Sequence, residues 1–281
     1  MERVKSNGIT LAVQAWPDAP APPERTVVCI HGLTSNHTVW LSMADTLAPG
    51  HRLVAYDLRG RGDSDKPASG YSLAIHGADL LGLLDHFGLR RATLMGHSLG
   101  AHIAVAFAAA HPERVARLVL FDGGLDVRAE VLDSLAPALA RLGVEFASRE
   151  AYLERLRALP MFAGRWNEYL TRHYAYDVQA TPGGGVTSKV VRHAIEEEIA
   201  NLQRARLWVR HHQVQAPTLL LRAPDGLLTA DDCLMTQVEA EAMARAIPRC
   251  RLVVVPGTNH YTILLGAHDL VRREVSAFLA A

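Results

Sequence analysis

Gly96-His97-Ser98-Leu99-Gly100 sets a serine hydroxyl between two glycines, after the apolar Leu94-Met95 and before a small-residue helical pattern running to Ala108. A serine hydroxyl is a weak nucleophile until a base removes its proton. The G-x-S-x-G spacing in a strand–turn–helix context suits such a nucleophile, because the turn projects the hydroxyl from the sheet edge. Gly96 and Gly100 leave room where strand and helix nearly collide. The helix start adds unpaired N–H groups and a dipole that favours developing negative charge. The same five residues also describe an ordinary turn with a capping serine, so the flanks and the partners decide between the two.

The base should be a histidine oriented by a carboxylate. His260 stands in the loop after the apolar Arg251–Val255, close to the end of the chain. Asp225 follows Leu219–Leu221 and is the first choice for the carboxylate. Asp122, directly after Val115–Phe121, is the alternative, and Asp231-Asp232 is a third. The order Ser98, Asp225, His260 is the serine–acid–histidine order expected of a parallel sheet with its site at the strand ends. An oxyanion needs two donors. The N–H of Leu99, just after the serine, is one; the N–H of Leu33, in the loop after Thr26–Ile30, is the other. His31 then orients that loop, and His97 supports the site from the side.

These residues need a scaffold that delivers several strand ends to one edge. The chain has 281 residues, 49% apolar and 21% charged, with no net formal charge. That describes a globular protein with a large core and argues against a basic nucleic-acid-binding surface. The three widely spaced cysteines, Cys29, Cys233 and Cys250, fit neither a disulfide framework nor a zinc knuckle. No His-Glu-x-x-His and no phosphate-binding glycine loop occurs, so no metal and no nucleotide cofactor is expected. No signal peptide and no membrane span is legible, which makes the cytoplasm the expected location.

Strand and helix patterns alternate from Thr26 to Phe121, the rhythm of a mostly parallel sheet covered on both faces. An Asn7-Gly8 hairpin precedes them. From about 125 to 213 the rhythm stops. That stretch reads as helices near 129–141, 148–158, 164–176 and 188–210, without a convincing strand and with Gly183-Gly184-Gly185 as a flexible joint. It carries many of the large aromatics. The expected substrate-binding side chains are Trp40, Phe146, Trp166, Tyr169, Trp208 and Tyr261, since aromatics supply contact area at little entropic cost. The strand rhythm resumes at Pro217–Leu221.

With the His31-Gly32 loop, the Asp57–Pro67 segment, the Gly96–Gly100 elbow, the acid after a late strand and His260, the chain resembles an α/β-hydrolase-fold serine hydrolase over nearly all its length. The closest likeness is to small esterases, lactonases and meta-cleavage-product hydrolases. The resemblance implies an eight-stranded, mostly parallel sheet with its second strand antiparallel. It implies a core domain of residues 1–124 and 214–281 and a helical cap of residues 125–213 inserted after strand 6. The activity it implies is two-step acyl transfer on a small hydrophobic carboxylic ester or lactone, with no cofactor. Hydrolytic carbon–carbon cleavage of a vinylogous diketone, or a low-turnover ligand receptor on the same fold, are the alternatives. Arg61 stands where many relatives have histidine, and the Ala223–Gly226 acid loop is one residue tighter than usual, which keeps Asp122 in play.

Overall fold

The computed structural model describes every residue but Ala230, and every side chain outside positions 129–131 and 133. The chain opens with β1 (Glu2–Ser6) and β2 (Ile9–Trp16), joined by Asn7 and Gly8, both at positive φ. Next come β3 (Thr26–Ile30), α1 (Leu41–Leu47), β4 (Arg52–Tyr56), α2 (Leu73–His86), β5 (Ala92–His97), α3 (Leu99–Ala110) and β6 (Val115–Phe121). An insertion then supplies α4 (Ala129–Leu139), α5 (Arg149–Arg157), α6 (Glu168–Tyr176), β7 (Val178–Ala180), β8 (Val186–Ser188) and α7 (Arg192–Leu202). The sheet resumes with β9 (Thr218–Arg222) and β10 (Cys250–Val254), with α8 (Gln237–Ala246) between them; α9 (Thr262–Leu265) and α10 (Asp269–Ala280) close the chain.

Eight strands form one sheet in the order β1-β2-β4-β3-β5-β6-β9-β10. β2 runs antiparallel to both its neighbours, and every other pair is parallel. This is the expected architecture. The central strands β3 and β5 are buried along their whole length, as strands covered on both faces must be. One apolar cluster fills the face under α2 and α3. A second fills the opposite face under α1 and α10 and continues into the aromatics of the insertion.

Register places the strand ends in line. His97, the last residue of β5, lies opposite Phe121 of β6, and Phe121 lies opposite Leu221 of β9. The residues that follow β5 and β6 are Ser98 and Asp122.

The insertion departs from the helical expectation. β7 and β8 pair antiparallel, and the three glycines form the turn between them rather than a loose joint: Thr181 N–H donates to the Gly185 carbonyl at 2.9 Å. Each strand has only three residues, too few for an alternating pattern to register. The long helix expected over 188–210 is α7 followed by a separate 3₁₀ segment at 207–213.

Polar contacts fasten the insertion to the sheet along its length. Tyr176 Oη donates to Asp57 at 2.6 Å, Asn259 Nδ2 donates to the Met161 carbonyl at 2.7 Å, and Glu197 accepts the N–H groups of Gly70 and Tyr71. No helix among the described residues is long and apolar enough to cross a membrane.

Candidate active site

Ser98 occupies the corner between β5 and α3 at φ 54°, ψ −119°. A non-glycine residue held there costs on the order of 1–3 kcal/mol, so the surroundings must enforce it. They do so from both sides. Ser98 N–H donates to the Phe121 carbonyl at 3.0 Å, while its own carbonyl accepts from Ala101 N–H and from His102 Nδ1 at 2.7 Å. The crossing is too tight for any side chain at Gly100, where a Cβ would lie 1.9 Å from the Ile30 carbonyl oxygen.

His260 Nδ1 lies 2.8 Å from Asp122 Oδ2. The second carboxylate oxygen of Asp122 accepts the Ala223 N–H at 3.1 Å, and the side chain is fully buried. An ionised carboxylate cannot donate, so Nδ1 carries the proton and Nε2 is left with a free lone pair.

The carboxylate that meets His260 is not the one that sequence order favours. Asp225, the first choice, does not meet His260. It binds Arg165 of the insertion at 2.8 Å and is a third exposed. Register explains the difference. Asp122 directly follows β6, one strand from Ser98 and level with it, whereas Asp225 lies three residues beyond the end of β9. Asp122 also has positive φ, 46°, so two adjacent strand ends carry a strained polar residue. Asp232 accepts the N–H groups of Leu227, Leu228 and Thr229 in its own turn and a bond from the Ser134 side chain, away from His260.

The loop after β3 is held rigidly. Leu58 N–H donates to His31 Nε2 at 2.9 Å, which puts the ring proton on Nδ1; Nδ1 in turn donates to the Gly32 carbonyl at 2.8 Å. Burial pushes His31 down to about 3, so the ring stays neutral and keeps this tautomer. Because the Gly32 carbonyl is turned onto His31, the opposite edge of the same trans peptide, the Leu33 N–H, points away from it. That N–H makes no hydrogen bond among the described residues. The Leu99 N–H heads α3, ahead of its first intrahelical bond.

His97 is buried with its ring 4.6 Å from that of His260. Its Nε2 donates to the His260 carbonyl at 2.8 Å and so anchors the His260 loop. Burial and the neighbouring His260 hold its pKa well below the usual value. A neutral imidazole beside His260 adds no competing charge.

Two cavities meet at Ser98. One, bounded by Val39, His173, Tyr174, His260, Tyr261 and Leu265, spans about 510 Å³ of space between atoms out to open solvent. The other, on the Leu99, His102 and Asp122 side, spans about 560 Å³ by the same measure. Leu33, Ser98 and Leu135 line both.

Of the expected substrate-binding aromatics, only Tyr261 lines these cavities. Trp40 is buried edge-on against Phe121 in the core. Phe146 packs on Tyr152, and Trp166 stacks on Tyr174 and bonds Thr171. Tyr169 reaches Asp45, and Trp208 is 62% exposed on the surface. Size marked these residues out, but size serves a core equally well. Leu135, Ala138 and Leu139, which line the first cavity, carried a usable signal: their i, i+3, i+4 spacing is one face of α4.

Comparison with known proteins gives the family. Residues 25–267 match the family described as alpha/beta hydrolase fold. The 2-(acetamidomethylene)succinate hydrolase of Mesorhizobium japonicum is 30% identical over 266 residues, 92% of this chain and 88% of that protein. A crystal structure of E-2-(acetamidomethylene)succinate hydrolase superposes with a TM-score of 0.86 at 27% identity, covering 100% of this chain and 98% of the other. The enol-lactonase of Burkholderia xenovorans shares the fold at a TM-score of 0.73 and 21% identity, covering 100% of both chains.

Proposed function

This chain belongs to the α/β-hydrolase fold family, and on that premise we propose that it is a serine hydrolase whose nucleophile is Ser98, base His260 and acid Asp122. The observation that carries this reading is the 2.8 Å contact of His260 Nδ1 with buried Asp122, in a ring that shares a cavity wall with Ser98. His260 Nε2 takes the Ser98 proton as Oγ attacks a carbonyl carbon. The oxyanion is received by the N–H groups of Leu33 and Leu99. His260 then gives the proton to the leaving oxygen as the carbon–oxygen bond breaks. In the second half it deprotonates a water, which attacks the acyl carbon, and the proton returns to Ser98. Asp122 stays ionised and holds the imidazole in the productive tautomer.

The substrate proposed is an uncharged hydrophobic carboxylic ester or lactone. Its two halves lie one in each cavity, with residues 125–213 capping both. The cavity walls support a neutral substrate. The lining cation Arg128 is paired with Glu239 at 3.0 Å, and Arg141, behind the first cavity, is paired with Asp177. The relatives named for acetamidomethylene succinate hydrolysis support a second reading, an amide-type acyl group handled by the same residues. Turnover of a panel of p-nitrophenyl esters, aliphatic lactones, enamides and one vinylogous diketone, by wild type and Ser98→Ala, tests both. Ester or lactone turnover lost by at least about 10³-fold in Ser98→Ala supports the proposal. Equal turnover by the variant rejects a serine nucleophile, and preference for the diketone rejects the ester assignment.

A further inference from the structure

Three consecutive carbonyls precede and follow the Leu33 N–H, and each is gripped by a buried side chain. Gly32 O accepts from His31, a residue of the same loop. Leu33 O accepts from Arg61 Nε at 2.9 Å. Thr34 O accepts from Arg141 Nη2 at 2.7 Å. Both arginines are buried, Arg61 completely.

A buried guanidinium persists only when paired and fully hydrogen-bonded. The insertion supplies both carboxylates. Arg61 Nη2 meets Glu198 of α7 at 3.0 Å, and Glu198 also meets His76 of α2 at 2.8 Å. Burial opposes the charge on Glu198, but His76 and Arg61 outweigh it and hold the carboxyl at about 2. Arg141, just beyond α4, meets Asp177 at 3.3 Å and donates to the hydroxyl of Tyr152, which itself donates to Asp177. The third nitrogen of each, Nη1, donates to the Arg59 carbonyl in Arg61 and to the Ala138 carbonyl and the Thr34 hydroxyl in Arg141. Neither guanidinium has a nitrogen to spare for substrate. Each is a bracket between a carboxylate of the insertion and a carbonyl of the loop.

We propose that Arg61 and Arg141 are positioning residues for the Leu33 N–H, so that the insertion, through Glu198 and Asp177, is a built-in part of the oxyanion site rather than a lid over it. This rests on the reading of Leu33 as an oxyanion donor. The peptide after Leu33 cannot rotate without breaking the Arg61 bond, and the next cannot rotate without breaking the Arg141 bond. A guanidinium suits the task because its planar fork spans two fixed acceptors at once; a lysine ammonium is a single point. Arg61 is long enough to bridge Leu33 to α7.

The effect of losing a bracket falls on the transition state. The oxyanion contact exists fully only there, so kcat drops while ground-state binding in the cavities persists. The test compares Arg141→Gln, Arg141→Lys and the charge-neutral pair Arg61→Met with Glu198→Gln, each checked for native near-UV circular dichroism. The readouts are kcat and KM on the best p-nitrophenyl ester, and the inhibition constant of an aliphatic trifluoromethyl ketone, which forms an oxyanion adduct. Expected is a 10- to 100-fold fall in kcat (roughly up to the loss of one oxyanion donor), KM within about threefold, and ketone affinity falling in step with kcat. Arg141→Lys should recover only part of the loss. Folded variants with wild-type kcat, or with ketone affinity unchanged while KM rises, overturn the proposal. Should the neutral variants not fold, the Arg141→Lys comparison carries the same two outcomes. Failure here with activity still abolished by Ser98→Ala removes only the bracket role. Survival of activity in Ser98→Ala removes the serine reading itself.

Discussion

Asp122→Asn exchanges one oxygen for an amino group, and the local hydrogen bonds dictate which way the new amide faces. Oδ1 accepts the Ala223 N–H, and Oδ2 faces His260 Nδ1. An amino group at the first position would confront a backbone donor, so the amide oxygen stays there and the amino group turns to His260. That ring must then accept at Nδ1 and carry its proton on Nε2, where it cannot take the Ser98 proton. The wrong tautomer costs about 10⁴-fold in kcat, or about 5.5 kcal/mol. Asp225→Asn breaks a contact with Arg165 in which both side chains are about a third exposed. Such a pair is worth on the order of 0–1 kcal/mol of stability, and kcat should stay within about threefold. Initial rates on a p-nitrophenyl ester near pH 8, with melting temperatures for both variants, make the comparison. A folded Asp122→Asn enzyme with near wild-type kcat, or a collapse of kcat in Asp225→Asn instead, would refute the register argument.

Gly100→Ala should express poorly or lose several degrees of melting temperature, because its Cβ would sit 1.9 Å from the Ile30 carbonyl oxygen; a folded, fully active variant would show that the corner has room. Burial holds His31 and His173 at about 3, so the folded state binds fewer protons than the unfolded state, where both titrate near 6.5. Their contribution is therefore complete above pH 6.5 and declines as pH falls toward 3. The slope is about 1.4 kcal/mol per pH unit for each histidine. Urea melts between pH 7 and 4 read this directly. In His173→Phe the slope should fall by about one histidine's share, and an unchanged slope would contradict the buried neutral state.

The parts that were legible in the chain are those whose signal is local. The elbow is five contiguous residues whose glycines answer a steric demand met within the same turn, and His260 follows its strand in the next loop. The mostly parallel sheet follows from the alternation of strands and helices, while the count of eight strands came from the resemblance. The acid was not local. Asp122 and Asp225 both leave strand ends, and only the pairing of β5, β6 and β9 tells which stands level with Ser98. The hairpin β7–β8 was invisible because three residues per strand hold no period. Arg61 was visible only as an unusual residue in a polar loop. Its meaning depends on Glu198, which is distant in sequence.

The claim on which the rest depends is that His260 and Asp122 activate the hydroxyl of Ser98. An alkyl fluorophosphonate, followed by intact-mass measurement and peptide mapping of wild type, Ser98→Ala and Asp122→Asn, reads that activation without knowledge of the substrate. The expected result is one stoichiometric adduct on the peptide bearing Ser98, none in Ser98→Ala and a much slower one in Asp122→Asn. An unmodified wild type, or an adduct that persists when Ser98 is replaced, would contradict it.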